Sequence, residues 1–124
     1  MDKPKLNTFV IPLVRTDMID RCLETLYANT PDNFYVYVID QSVEGLDLRL
    51  RDRYKNLMVI RPPKSDVHTT GNLGHSQATN LGVRLTDTPY VKFLNDDVEF
   101  IHPNWWQGIL DTFEKVEKAT PERP

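Results

Sequence analysis

The spacing of apolar positions changes several times along the chain, and each change marks an element. Thr8-Phe9-Val10-Ile11-Pro12-Leu13-Val14 is a nearly unbroken apolar run rich in β-branched residues, which predicts a buried strand. Pro12 has no N–H to give to a ladder, so it belongs at the end of that strand or at a bulge. Met18, Ile19, Cys22, Leu23, Leu26 and Tyr27 then recur at helical spacing. Thr16 or Asp17 offers the N-cap, and Asn29-Thr30-Pro31-Asp32-Asn33 stops the helix and turns the chain. Phe34-Tyr35-Val36-Tyr37-Val38-Ile39 predicts a second strand that closes on Asp40.

After a loop from Gln41 to Gly45, the positions of Leu46, Leu48, Leu50 and Tyr54 predict a short, weakly patterned helix. Leu57-Met58-Val59-Ile60 is the third strand, ended by Pro62-Pro63. A polar loop from Lys64 to Leu73 leads to a helix capped by Ser76 and marked by Ala78, Leu81, Val83 and Leu85. Gly82 inside it costs about 1 kcal/mol against Ala, so it implies close packing on a strand or a ligand. Tyr90-Val91-Lys92-Phe93-Leu94 is the fourth strand. Pro103 opens a last helix with Trp106, Ile109, Leu110, Phe113 and Val116 on one face.

Strands alternating with helices predict an α/β fold, a mostly parallel sheet of about four strands with helices on both faces. Such sheets take ligands beyond the carboxyl ends of their strands, where strand order reverses. Asp40 closes the second strand, and Asn95-Asp96-Asp97 closes the fourth, so the three carboxylates are expected at one edge. Two adjacent anions repel each other and are costly to bury unpaired. A divalent cation with hard oxygen preferences removes that cost, and Mg²⁺ or Mn²⁺ commonly arrives with substrate phosphates. The plain alternative is an exposed Asn-Asp turn.

Composition narrows the field. The 124 residues suit one domain with a single core; 40% are hydrophobic and 27% charged. Net charge is -3 with no basic block, which gives no reason to expect nucleic acid or an anionic membrane. Cys22 is the one cysteine, so no disulfide forms within the chain, and its place on the first helix reads as a small core residue. No run reaches the length of a membrane span, and Met1-Asp2-Lys3-Pro4-Lys5 does not open a signal sequence, so a cytoplasmic location is expected. His68, His75 and His102 lack ligand spacing and read as surface or loop residues. Arg61 and Lys64 follow the third strand, either as a solvated basic loop or within reach of a diphosphate. Trp106 reads as core, while Trp105 is open to stacking on a sugar.

Four segments in order resemble family 2 glycosyltransferases, whose nucleotide-binding half has the GT-A fold. They are Val10-Ile11-Pro12, Val38-Ile39-Asp40-Gln41-Ser42, Asn72-Leu73-Gly74-His75-Ser76-Gln77-Ala78-Thr79-Asn80-Leu81-Gly82, and Phe93-Leu94-Asn95-Asp96-Asp97. The third follows the family's Asn-x-Gly-x-x-x-Ala-x-Asn-x-Gly pattern, and the fourth stands where the family carries its Asp-x-Asp metal motif. The resemblance implies a donor site for a UDP-, GDP- or dTDP-linked sugar held through Mn²⁺ or Mg²⁺. In it, Asp40 recognises the base and the main chain at Pro12, Leu13 and Val14 lines the base pocket. Asp96 faces the ribose or the metal, and Asp97 is the metal ligand. Asn72 and Gly74 fall in the donor-binding segment, although their own chemistry equally suits a turn brace and a permissive backbone position.

This sequence departs from that pattern in two ways. Leu13-Val14-Arg15 replaces a polar run after Pro12, and Asn95 replaces the first Asp of the motif. A full member carries an acceptor-binding half with the catalytic base, and nothing after Val98 supplies one, Glu99 being a neighbour of Asp97 on a strand reading. A truncated domain is therefore expected, completed by a second half or a homo-oligomer, with the acceptor unspecified. The alternative is a nucleotide- or nucleotide-sugar-binding module without activity of its own. A phosphoacceptor receiver domain would place its acid pair after the first strand and its acceptor Asp after the third, where Pro12 to Arg15 and Arg61-Pro62-Pro63 stand instead. A nucleotidyltransferase would need a glycine-rich phosphate loop after the first strand, and none is present.

Overall fold

The β-branched and aromatic runs form strands and the periodic stretches form helices in the expected order. The computed structural model describes residues 7–31, 34–42, 45–47, 49–61 and 75–119. Strands β1 (Asn7–Leu13), β2 (Phe34–Asp40), β3 (Leu57–Ile60) and β4 (Tyr90–Phe93) alternate with helices α1 (Ile19–Ala28), α2 (Arg49–Arg53), α3 (His75–Arg84) and α4 (Trp105–Ala119). All three strand pairings are parallel, in the order β3-β2-β1-β4. The chain therefore steps outward from β1 to β3 and then returns to the other side of β1. The reversal lies between β1 and β4, and a parallel sheet opens a crevice at that point.

Alternation along the strands divides the core into two layers. Phe9, Ile11 and Leu13 of β1, with Val36 and Val38 of β2, pack against Ile19, Cys22, Leu23 and Leu26 of α1 and Trp106 of α4. Val10 and Ile39 point to the opposite face, where Ala78 and Leu81 of α3 cover them. Each fully buried Leu, Ile or Phe contributes about 1.5–3 kcal/mol. Helices thus lie on both faces, as the alternating pattern predicts.

Pro12 is tolerated in a central strand because the ladder on one side has already ended. Val10 accepts the Leu94 N–H at 2.9 Å, and Val10 opposite Phe93 is the last pairing with β4. Pro12 directs its nitrogen to the same side, beyond that last bond. The other predicted boundaries shift slightly. The N-cap of α1 is Met18 rather than Thr16 or Asp17, and no side chain caps it, because the bend after β1 continues through residue 18. Phe113 and Val116, expected on the inner face of α4, are 44% and 47% exposed, since β4 is the edge strand and the sheet beneath them has ended. Phe113 still stacks on Tyr90, with ring centroids 5.6 Å apart.

Gly82 is explained by contact rather than by backbone conformation. A Cβ built there would overlap the Cγ1 methyl of Val10, so α3 approaches β1 as closely as it does only because this side chain is missing. Gly82→Ala would gain about 1 kcal/mol in helix propensity and lose about 1–3 kcal/mol to overpacking. Net destabilisation of up to about 2 kcal/mol is expected, read as a lower urea midpoint at unchanged slope.

Candidate functional site

The crevice between β1 and β4 is built by the two segments that leave those strands. Arg15, Thr16 and Asp17 follow β1, and Asn95, Asp96 and Asp97 follow β4 in a turn. That acidic turn is fastened to α1 at several points. The Cys22 thiol donates to the Asn95 carbonyl at 3.7 Å, and Thr25 Oγ1 accepts the Phe100 N–H at 3.0 Å. Asn29 Nδ2 donates to the Phe100 carbonyl at 2.7 Å, and Arg21 pairs with Glu99 at 3.5 Å. A helix packed into the first core layer therefore fixes where the two carboxylates stand.

Their electrostatics are unbalanced. Burial, and then the adjacent Asp97 charge, raise the Asp96 pKa above the ordinary aspartate range; Arg15 opposes this without cancelling it. The same two carboxylates act on Cys22 after burial, pushing its thiol up to about 12. Cys22 is consequently a neutral, buried thiol beneath the turn, in keeping with a packing role. Among the described residues neither Asp96 nor Asp97 forms an ion pair, and no group of three or more His, Cys, Asp or Glu side chains gathers into a metal cage. Two hard oxygen donors without an ion-pair partner among the described residues fit a divalent ion that keeps its other positions for phosphate and water.

Asp40 stands at the same edge, with its carboxylate fully buried and opposite Leu13 in the ladder. One oxygen accepts the Ser42 N–H at 3.0 Å and the Ser42 hydroxyl at 2.6 Å. The other accepts the Leu46 N–H at 2.7 Å and Arg61 Nη1 at 3.0 Å. Arg61 also reaches the Ser42 carbonyl at 3.0 Å, so it is neither a solvated loop residue nor a free diphosphate ligand. Burial alone would raise the Asp40 pKa, but the bonds from Ser42, Leu46 and Arg61 outweigh it and hold the carboxyl below its usual range.

A lowered carboxylate pKa stabilises the fold above the unfolded value, and the contribution is lost as pH falls through the folded value. The stability gap between wild type and Asp40→Asn should therefore hold steady at neutral pH. It should shrink only in acid, below the ordinary aspartate pKa of about 3.9. Urea titrations over a pH series measure it.

The other sequence candidates fall in three groups. Pro12 and Leu13 lie in the last part of β1 beside Asp40, while Val14 is half exposed just beyond it. A small cleft of about 230 Å³ opens nearby between the start of α1 and the chain after β2, lined by Thr16, Asp20, Gly45 and Asp47. Asn72 and Gly74 lie outside the described residues. Trp105 is half buried against Phe9 and Phe100, and its Nε1–H goes to Thr30 Oγ1 at 2.8 Å, so it braces α4. His102 is exposed and accepts the Asn104 N–H, and Glu99 is turned to Arg21. Sequence reasoning missed Arg15 at the switch point, although a cation directly after a central strand was the available signal. It also missed the Thr25 and Asn29 anchors, which nothing in the local pattern announces.

A parallel α/β sheet with a reversal of strand order and helices on both faces defines the doubly wound class of fold. Within that class, the chain belongs to glycosyl transferase family 2, whose family model matches residues 8–123. It is similar to a teichoic acid poly(glycerol phosphate) polymerase of Staphylococcus epidermidis, 28% identical over 100 residues. That match takes in 77% of this chain and 13% of the polymerase. Among solved structures it resembles S. aureus TarS, with a TM-score of 0.68 and 19% identity, over 89% of this chain and 32% of that one. The likeness to TarS is one of fold, and with the family match it identifies the GT-A type of sheet. The chain thus spans a small part of the polymerase and about a third of TarS. No helix among the described residues is long and apolar enough to cross a membrane.

Proposed function

We propose that this chain binds the donor of a glycosyl transfer, a nucleoside diphosphate sugar, at the β1–β4 crevice. The observation that carries the reading is the Asp96–Asp97 pair, held at the switch point with no ion-pair partner among the described residues. Asp97, exposed at the tip of the turn, would hold Mn²⁺ or Mg²⁺, with half-buried Asp96 as second ligand or ribose contact. When bound, the ion supplies Lewis-acid stabilisation of the diphosphate leaving group.

The chain's own residues perform the positioning. α1 holds the acidic turn in place through Cys22, Thr25 and Asn29. Asp40 shapes the base side by holding Ser42 and Leu46, near which the main chain at Pro12, Leu13 and Val14 would meet a base. Asn72 and Gly74 are proposed as further donor contacts on the strength of the family pattern. Asp40 is saturated with bonds and Glu99 is paired, so neither of these two is free to act as a base across the crevice.

Titration calorimetry of UDP, GDP and dTDP, each with and without Mn²⁺, tests the reading. Binding of one diphosphate that requires the metal is expected. Equal binding with and without metal would sink the carboxylate assignment, and no binding by folded protein would sink the donor site.

A further inference from the structure

The sheet face covered by α3 is not covered along its whole length. α3 packs chiefly on β1 and β2, through Val10 and Ile39, and its last turn passes the amino-terminal half of β2. A groove of about 540 Å³ opens there, at the edge opposite the acidic turn. Tyr35 and Tyr37 form its floor, with ring centroids 6.3 Å apart and planes inclined by 34°. Exposed Met58 and Leu85 form its two banks, and Arg84, Asp87 and Asn56 supply its polar groups. Asn56 Nδ2 is buried and donates to nothing. Asn56 is held in the left-handed region, at φ 62°, and its carbonyl accepts the Val36 N–H at 3.0 Å, so its placement is fixed by the sheet.

These features select a ligand chemistry. Two neighbouring tyrosines on one strand make a shallow aromatic floor rather than a slot, suited to one flat apolar face. A buried amide donor, a carboxylate and a guanidinium at the rim offer both acceptors and donors, the set that vicinal hydroxyls need. A purely apolar ligand would leave the Asn56 amide unpaired, and a polyanion would meet Asp87. We propose that this groove is a carbohydrate-binding site for a pyranose ring, its C–H face on Tyr35 and Tyr37 and its hydroxyls on Asn56, Asp87 and Arg84. β2 spans about 20 Å between the two edges, so a sugar held here is remote from the acidic turn. The site rests on the family's glycosyl chemistry and is independent of the donor reading.

Maltotetraose, cellotetraose and chitotetraose, titrated at millimolar concentrations into ¹⁵N-labelled protein, test it. One of them is expected to shift the amides of Tyr35, Tyr37, Asn56 and Thr86 saturably, with Asn95 to Val98 unmoved. Asp87→Ala, an exposed rim change, should weaken binding about tenfold at an unchanged unfolding midpoint, and Tyr35→Ala should weaken it further. Asp97→Ala should leave it intact, which separates this site from the donor site. No saturable shift with any of the three overturns the proposal. So does movement of the same amides with protein concentration alone, which would mark a self-association face.

Discussion

Asp97→Ala is expected to abolish metal-dependent binding of nucleoside diphosphate while leaving the protein folded. Even residues that only orient a metal's ligands commonly change its affinity about 10–100-fold, so loss of a direct ligand should cost about 100-fold or more. Misfolding is not an alternative explanation, because of the sign of the local electrostatics. Asp97 is exposed and is one of the charges that raise the Asp96 pKa, so its removal relieves repulsion in the metal-free protein. The unfolding midpoint of the variant should equal or exceed that of wild type, measured without metal. A variant that lost both affinity and stability would contradict the assignment of Asp97 as a site carboxylate without an ion-pair partner among the described residues.

Asp40→Ala is expected to act the opposite way, on the fold before the site. The lost carboxylate accepts four hydrogen bonds in a fully buried position, three from the chain between Ser42 and Leu46 and one from Arg61. Stranding the two buried N–H groups alone costs about 1–3 kcal/mol each, so a loss of about 3 kcal/mol is expected. Arg61→Ala should cost about 1 kcal/mol or less, because the Arg61 side chain is 41% exposed and its pairing is screened by water. Denaturant titration of both variants and of the double variant separates the ion pair from the loop bonds. A small effect at Asp40 alongside a large one at Arg61 would overturn this division.

The residues that announce the fold do so through period. Continuous apolar runs gave β1 to β3 to within a residue, and Gly82 announced its own contact by standing where helix propensity disfavours it. The edge position of β4 was not legible, because its sequence reads like a central strand and only the topology leaves Phe93 half exposed. For the same reason the α4 stripe predicted more burial for Phe113 and Val116 than the sheet can provide. At the site, paired acids after a strand pointed to the crevice, since like charges at a strand end are costly without a purpose. What the sequence does not encode locally is who satisfies whom. Arg61 lies twenty-one residues from Asp40, and Thr25 and Asn29 meet Phe100 only after α1 has docked.

The most direct test of the donor site is a map of where Mn²⁺ sits once a nucleoside diphosphate is present. Paramagnetic broadening in ¹H–¹⁵N spectra reads this from the chain itself. Broadening centred on Asn95 to Val98, extending to Arg15, Thr16 and Asp17 and requiring the diphosphate, is the predicted result. Signals from Tyr35 and Asn56 at the far edge should remain sharp. Broadening centred anywhere else, or equal broadening without the diphosphate, would contradict a metal-held donor at the β1–β4 crevice.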